Sequence, residues 1–325
     1  MKVLVTGGAG YIGSHTVKKI LDAGHDVVVY DNLSTGFREA LPNGVDFIFG
    51  DVRDKLMLSR IMKDKGIQSV VHFAAKLLVP ESIEKPIDYY ENNTLGVVAV
   101  VQACIENKID KIVFSSTAAV YGDANAVGSG VSEISATAPL NPYGQSKLMS
   151  EKIILDSEAA YGIRAACLRY FNVAGAAIDG RNGQRTKNAT HLIKVASEAA
   201  CGKRAVLGIF GSDYQTPDGT CVRDYIHVED LADLHVLALG YLEGGGKSEV
   251  FNCGYGHGFS VREVIRAVKK VSGVDFLVEE KGRRAGDAAS LIADSSKVKK
   301  TFAWIPAHDN LELICRTAFQ WECQE

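Results

Sequence analysis

Lys2-Val3-Leu4-Val5-Thr6-Gly7-Gly8-Ala9-Gly10-Tyr11-Ile12-Gly13-Ser14 opens this 325-residue chain. A short apolar run meets a turn with glycines at 7, 10 and 13, and a helix-like pattern follows from Ser14 to Ala23. Gly7 permits a tight turn, Gly10 lets the backbone approach a pyrophosphate, and Gly13 lets helix and strand pack closely. A helix N-terminus adds free N–H groups and partial positive charge. Glycines also make ordinary turns, but the flanking strand and helix favour a dinucleotide cradle.

The same rhythm continues outward. Further apolar runs at Asp26–Tyr30, Val45–Phe49, Ser69–Phe73, Lys111–Ser115 and Arg164–Arg169 predict strands, and Leu95–Glu106 predicts a helix between two of them. Most runs are continuous rather than alternating, as in parallel strands covered on both faces. The expected fold is α/β: a doubly wound, Rossmann-type parallel sheet with a smaller, mixed α/β C-terminal substrate lobe. We expect residues 1–175 to form the dinucleotide-binding domain, with 222–245 returning to it. Residues 176–325 would form the lobe, interleaved with the first domain. In that lobe Ala176–Thr190 reads as a loop that orders around a ligand, and Ala205–Ile226 as strands and turns. Val228–Tyr241, Ser260–Val271 and Leu311–Glu322 read as helices, and Asp275–Glu279 as a short strand.

A formal charge of −3 gives no reason to expect nucleic acid or an anionic membrane as partner. No run approaches the ~18 apolar residues of a membrane span. The first strand runs straight into the glycine turn, so no signal peptide is expected and the cytoplasm is the default location. Seven scattered cysteines without a CxxC pair indicate neither a metal site nor a disulfide framework. Small thiols in a reducing compartment are the expectation.

Several residues after strand ends point to the cofactor. Asp31 follows the second strand about 20 residues beyond the glycines, where a carboxylate accepts hydrogen bonds from a ribose 2′-hydroxyl and repels a 2′-phosphate. No Arg or Lys follows in Asn32-Leu33-Ser34-Thr35, which favours NAD over NADP. Asp51 and Val52 follow the third strand, placed to hold the adenine edge, and Phe73-Ala74-Ala75 follow the fourth, where small residues allow close approach. Asn93 reads either as a helix cap or as support for the active-site backbone.

Tyr143 and Lys147 lie four residues apart, on one face of a helix. The fifth strand ends in Ser115-Ser116-Thr117. An unassisted tyrosine, with a pKa near ~10, is a poor base at neutral pH. A nearby ammonium and a positive nicotinamide ring would both favour phenolate and lower that pKa. Tyr143 would then take a proton from an alcohol while hydride leaves the same carbon, with Thr117 bonding the reacting oxygen.

These motifs resemble the extended short-chain dehydrogenase/reductase family, and within it the nucleotide-sugar 4-epimerases. The resemblance spans VTGGAGYIGSH, YDNLSTG, FSSTAAVYG, NPYGQSK, LRYFNVAGA, IFGSDYQTPDGTCVRDYIHVEDLADLH and GRRAGD. It implies that Thr117, Tyr143 and Lys147 are catalytic. It places Tyr11, Ile12, Asn32 and Tyr170 with the glycines at the cofactor. It assigns Asn172, His191, Leu192, Arg223, Arg284, Asp287 and Leu291 to the nucleotide-sugar. Arginines suit a diphosphate, for which they offer planar forks of donors. Leu291 falls where the family limits the sugar's C2 substituent. Lys76 is displaced by one position from the family's lysine, and Lys194 stands where many relatives have proline.

The implied activity is reversible interconversion of UDP-glucose and UDP-galactose, and the resemblance implies a homodimer. C4 is oxidised to a 4-keto sugar, the sugar rotates, and hydride returns from tightly bound NADH. Ala118-Ala119 stand where sugar-nucleotide dehydratases and decarboxylases carry acidic residues, which disfavours both. Epimerisation of a UDP-pentose or UDP-N-acetylhexosamine stays open, as does a non-catalytic NAD- or UDP-sugar-binding regulator.

Overall fold

The computed structural model describes residues 1–123, 130–186, 189–284 and 287–325. Lys187 and Asn188 of the expected ligand-ordered loop, and Ala285 and Gly286 of GRRAGD, lie outside the described residues. In chain order the strands are β1 Lys2–Thr6, β2 Asp26–Asp31, β3 Asp46–Phe49, β4 Ser69–His72, β5 Lys111–Thr117 and β6 Arg164–Tyr170. They continue as β7 Asn172–Ala174, β8 Leu207–Phe210, β9 Val222–Arg223, β10 Tyr225–His227, β11 Glu249–Cys253, β12 Phe259–Ser260, β13 Val278–Lys281 and β14 Ser290–Leu291.

Seven strands form the main sheet in the order β11-β6-β5-β4-β1-β2-β3. The pairings from β6 through β3 are all parallel. This is the doubly wound α/β sheet expected from the continuous apolar runs, and β1, β4 and the middle of β5 are buried on both faces. One face packs Leu4, Val28, Val70 and Ile112 against Val97, Val100 and Val101 of the helix Gly96–Asn107. That helix is thus largely core.

The chain divides into two compact units. The first comprises Met1–Gly122, Thr137–Tyr170 and Ala232–Phe251, and the second Asp123–Ala136, Phe171–Leu231 and Asn252–Glu325. In the second unit β7 pairs with β10, β12 and β14 flank β9, and β13 pairs with β8. The helices Leu192–Ala200, Val261–Ser272 and Leu311–Gln324 belong to it. Ser260 caps the middle one in a reciprocal capping box with Glu263, so the Ser-x-x-Glu spacing fixes its start.

Two expectations are corrected. The strand expected at Asp275–Glu279 runs instead over Val278–Lys281, because its register is set by pairing with Leu207–Phe210. Cys201 and Cys323 form a disulfide across a separation of 122 residues, joining the end of the helix Leu192–Ala200 to the last helix. The other five cysteines are free and buried. Spacing rules miss such a pair because the fold, not the local sequence, brings it together.

Candidate active site

The glycine turn and the candidate cofactor residues around it lie in the first unit. Gly7 adopts φ +72°, and a Cβ there would lie 2.5 Å from the Ala74 nitrogen. A Cβ on Gly13 would lie 2.4 Å from the Gly7 carbonyl oxygen. Only glycine fits either position. Tyr11 and Ile12 open the helix Tyr11–Asp22, whose N-cap is Gly10. No side chain caps this end; its first N–H groups suit a pyrophosphate.

Asp31 ends β2, nearly buried. Its carboxylate accepts from the Ala9 and Leu33 amides at 2.9 and 2.8 Å. Burial raises its pKa, and the two amides oppose that rise. An ionised carboxylate has about four acceptor sites, so capacity remains for a ribose hydroxyl. Asp51 is more committed: Arg53 donates to both of its oxygens at 2.9 and 2.8 Å. That fork, and a hydrogen bond involving Asn32, contribute to lowering its pKa to about 2. Arg53 was not singled out in the sequence, where only its two-residue spacing from Asp51 could have signalled it. Val52 is buried.

Beyond β4, Phe73 and Ala74 both donate from their amides to the Thr6 carbonyl, bending the chain toward the glycine turn. Asn93 is buried and joins this loop to the helix Pro142–Tyr161: it accepts from the Lys76 amide and donates to the Lys76 carbonyl and to Ser146 Oγ. Its side chain supports backbone, which was one of the two roles open in the sequence. Lys76 itself pairs with Asp88 at 3.1 Å. Tyr170 shares a hydrogen bond with His235, whose ring also lies 4.7 Å from that of Phe73.

Tyr143 and Lys147 share the helix Pro142–Tyr161. Asn141 caps it by accepting from the Gly144 amide at 2.9 Å, and Pro142 occupies its first position. A Cβ on Gly144 would sit 2.7 Å from the Ala119 carbonyl oxygen, so glycine lets this helix approach the turn after β5. Thr117 Oγ accepts from the Ala119 amide at 3.1 Å, and its side chain favours the ionised form of Tyr143. Lys147 is 3% exposed; its ammonium donates to the Ser115 carbonyl at 2.6 Å and lies 4.9 Å from the Phe114 ring centroid.

The electrostatics refine the sequence argument. Burial raises the Tyr143 pKa, and the Thr117 hydrogen bond opposes it. The protein alone therefore does not lower that pKa as expected, because desolvation of the hydroxyl outweighs its one partner. Burial also lowers the Lys147 pKa to about 7, with Glu151 opposing.

The second unit holds the other candidates in two groups. Asn172, His191 and Leu192 line one cleft with Gln184, Tyr225 and Trp321. His191 caps the helix Leu192–Ala200 by position and pairs with Gln184 at 3.0 Å. Burial lowers its pKa, which favours neutral imidazole. Lys194, from the same helix, pairs with buried Glu322 and so ties the helix down. In the other group, Arg223 and Leu291 are register partners across β9 and β14. The Arg223 guanidinium lies 3.7 Å from Asp287. Arg284 is exposed, with its guanidinium 3.6 Å from the Phe210 ring centroid. Gln184, Tyr225 and Trp321 went unnoticed in the sequence because nothing in their spacing links them.

A glycine turn between the first strand and helix, with Thr117 at a later strand end and Tyr143 and Lys147 on the helix beside it, fits a nicotinamide-dependent enzyme acting on an alcohol carbon. A model of the NAD dependent epimerase/dehydratase family matches residues 3–254, and the chain belongs to that family. It is similar to the UDP-glucose 4-epimerase of Azospirillum brasilense, with 52% identity over 321 residues covering 99% of this chain and 92% of that one. Its structure is similar to UDP-glucose 4-epimerase from Brucella ovis in complex with NAD, at 43% identity and TM-score 0.94, covering 98% of this chain and 97% of that one. The UDP-Glc/GlcNAc 4-epimerase from Campylobacter jejuni is also similar, at 49% identity and TM-score 0.87, covering 99% of each chain.

Proposed function

We propose that this protein is an NAD-dependent epimerase that interconverts UDP-glucose and UDP-galactose at C4. The observation that carries the reading is that Tyr143 and the buried Lys147 stand one turn apart on a helix whose Gly144 lets it approach the end of β5, where Thr117 lies. The first unit would hold NAD and the second the nucleotide-sugar. Gly7, Gly10, Tyr11, Ile12 and Gly13 would take the pyrophosphate. Asp31 would take the adenosine ribose, with Asn32, Asp51 and Val52 nearby on the adenine side. Phe73, Ala74, Ala75, Asn93 and Tyr170 would shape the nicotinamide side. NAD, when bound, supplies the hydride acceptor and donor for C4.

Tyr143 Oη takes the proton of the C4 hydroxyl and returns it after the sugar has turned over. Thr117 shares the hydrogen bond to the reacting oxygen. The Lys147 ammonium favours the phenolate form. Asn172, His191 and Leu192 would hold the uridine side; Arg223 and Arg284 would hold the diphosphate, with Asp287 orienting Arg223. Firm grip on the nucleotide with little grip on the sugar suits a rotation between two faces. Leu291, beside Arg223, would border the sugar's C2 substituent and favour the hexose pair over its N-acetylated counterparts.

A homodimer and a cytoplasmic location complete the proposal. Among the described residues no helix is long and apolar enough to cross a membrane. Leu95, 55% exposed just before the helix Gly96–Asn107, is an apolar side chain that would meet a partner copy.

The test is to incubate the purified protein with UDP-galactose, without added oxidant, and resolve the products by anion-exchange chromatography. Conversion to UDP-glucose, approached from either side to one ratio, is expected. Absence of turnover in protein that retains NAD would overturn the reading.

A further inference from the structure

Glu151 lies two helical turns beyond Tyr143 and one beyond Lys147, and is 1% exposed. Its carboxylate is held from two strands. Ser116 on β5 donates to one oxygen, and Arg169 on β6 donates to both, at 2.9 and 2.7 Å. Arg169 is itself 5% exposed and also donates to the Tyr121 hydroxyl at 2.9 Å. Consecutive residues of β5 thus engage residues spaced one turn apart on one helix. The Ser115 carbonyl accepts from Lys147 and Ser116 Oγ donates to Glu151, while Thr117 favours the ionised form of Tyr143.

We propose that Glu151 is a positioning residue for the reaction: its carboxylate keeps the buried Lys147 ammonium charged and in register with Tyr143, while Ser116 and Arg169 hold that carboxylate in place. The inference rests on the epimerase reading and deepens it. A buried ammonium with a carbonyl and an aromatic face as its partners lacks an anion to offset its desolvation. Glu151 is the acidic side chain that supplies one. The other titratable groups facing this cluster are Tyr143 on the same helix, His72 on β4, Cys167 and Arg169 on β6, and Tyr121 after β5. Burial pushes the His72 pKa down to about 3, and it pushes the Cys167 thiol well up, so both are neutral near pH 7. Glu151 is then the charge that acts on Lys147, and Arg169, paired to both of its oxygens, screens it. Their effects have opposite sign, which makes the proposal testable in two directions.

The experiment compares the NAD-loaded unsubstituted protein with Glu151→Gln and Arg169→Gln. Two readings are taken: the pH dependence of kcat with UDP-galactose, and the titration of the Lys147 side chain by carbon-13 NMR of labelled lysines. The Lys147 signal is assigned by its loss in Lys147→Arg. Far-UV circular dichroism and retained NAD report the fold. In Glu151→Gln the Lys147 midpoint and the alkaline limb of kcat should both fall by about one pH unit or more, because an anion near a cation is gone. In Arg169→Gln both should rise. A shift in either folded variant in its stated direction supports the proposal. Lower activity with an unmoved midpoint in the folded variants would overturn it and leave Glu151 a packing residue. Failure of both variants to fold would also overturn it, since the pair would then be a requirement of the fold alone. Turnover by the unsubstituted protein tests the epimerase reading separately.

Discussion

Lys147 and Arg284 are both cations in proposed ligand sites, and their surroundings differ at every point. Lys147 is buried on a 20-residue helix, bonded to a strand carbonyl and backed by Glu151. Arg284 is exposed and lies against one aromatic ring. The contrast extends to their neighbours. Thr117, Tyr143, Ser116 and Glu151 are fixed by strand and helix, whereas Arg223, Asp287 and Leu291 come from two-residue strands and a loop. A proton-transfer site needs geometry held to fractions of an ångström. A site that grips a flexible diphosphate needs charge and reach. Substitutions in the first region should therefore act on kcat, and those in the second on binding.

The largest effect is expected from Tyr143→Phe. Removing the hydroxyl should lower kcat by about 10²–10⁴-fold or more while UDP binding by calorimetry stays near normal. Near-normal turnover would break the comparison at its strongest point. Asp31 gives the next largest effect: apo-protein titrated with NAD and NADP should prefer NAD by on the order of 10²-fold, since a 2′-phosphate meets a buried carboxylate. Equal affinities would remove Asp31 from the cofactor site. Arg223→Ala should weaken UDP binding by about 1.5–3 kcal/mol, one charge-assisted contact, with little change in kcat at saturation. Unchanged UDP affinity would make Arg223 a partner of Asp287 alone.

Smaller shifts are expected at Leu291. Its serine variant should raise the kcat/KM ratio of N-acetylated to plain hexose substrates, and Leu291→Tyr should lower it, each by ~10-fold or less. If neither ratio moves, the sugar's range is set elsewhere. The smallest effect concerns Cys201 and Cys323: thiol titration of denatured, unreduced protein should find five thiols and leave turnover before denaturation unaffected. A count of seven would show the pair reduced, as a cytoplasmic pool would favour.

The first region was largely legible in the sequence, and the second less so. β1 matches its expected span, and β2, β4, β5 and β6 each extend or stop within two residues of theirs, because buried parallel strands are continuous apolar runs. The Tyr143 helix announced itself by Asn-Pro at its start and by the Tyr–Lys spacing. β11 was not expected: Glu249-Val250-Phe251-Asn252-Cys253 carries polar residues and lies at the sheet edge, where the run need not be continuous. Glu151, Ser116 and Arg169 were equally invisible, since charged and hydroxyl residues read as surface until the fold buries them together. The cleft wall at Trp321 and the disulfide share that cause. Both join positions more than a hundred residues apart, for which a single sequence has no periodic signal.

The edge position of β11 has a consequence during synthesis. A ribosome delivers β1 to β6 first, but the strand that hydrogen-bonds the outer side of β6 follows about eighty residues after β6 ends. Until then the nascent sheet presents a row of unpaired amides and carbonyls along Arg164–Tyr170, the kind of edge on which chains aggregate. Expression of residues 1–175 alone would make that temporary exposure permanent, so a soluble cofactor-binding fragment requires the segment through Phe251 to be supplied as well.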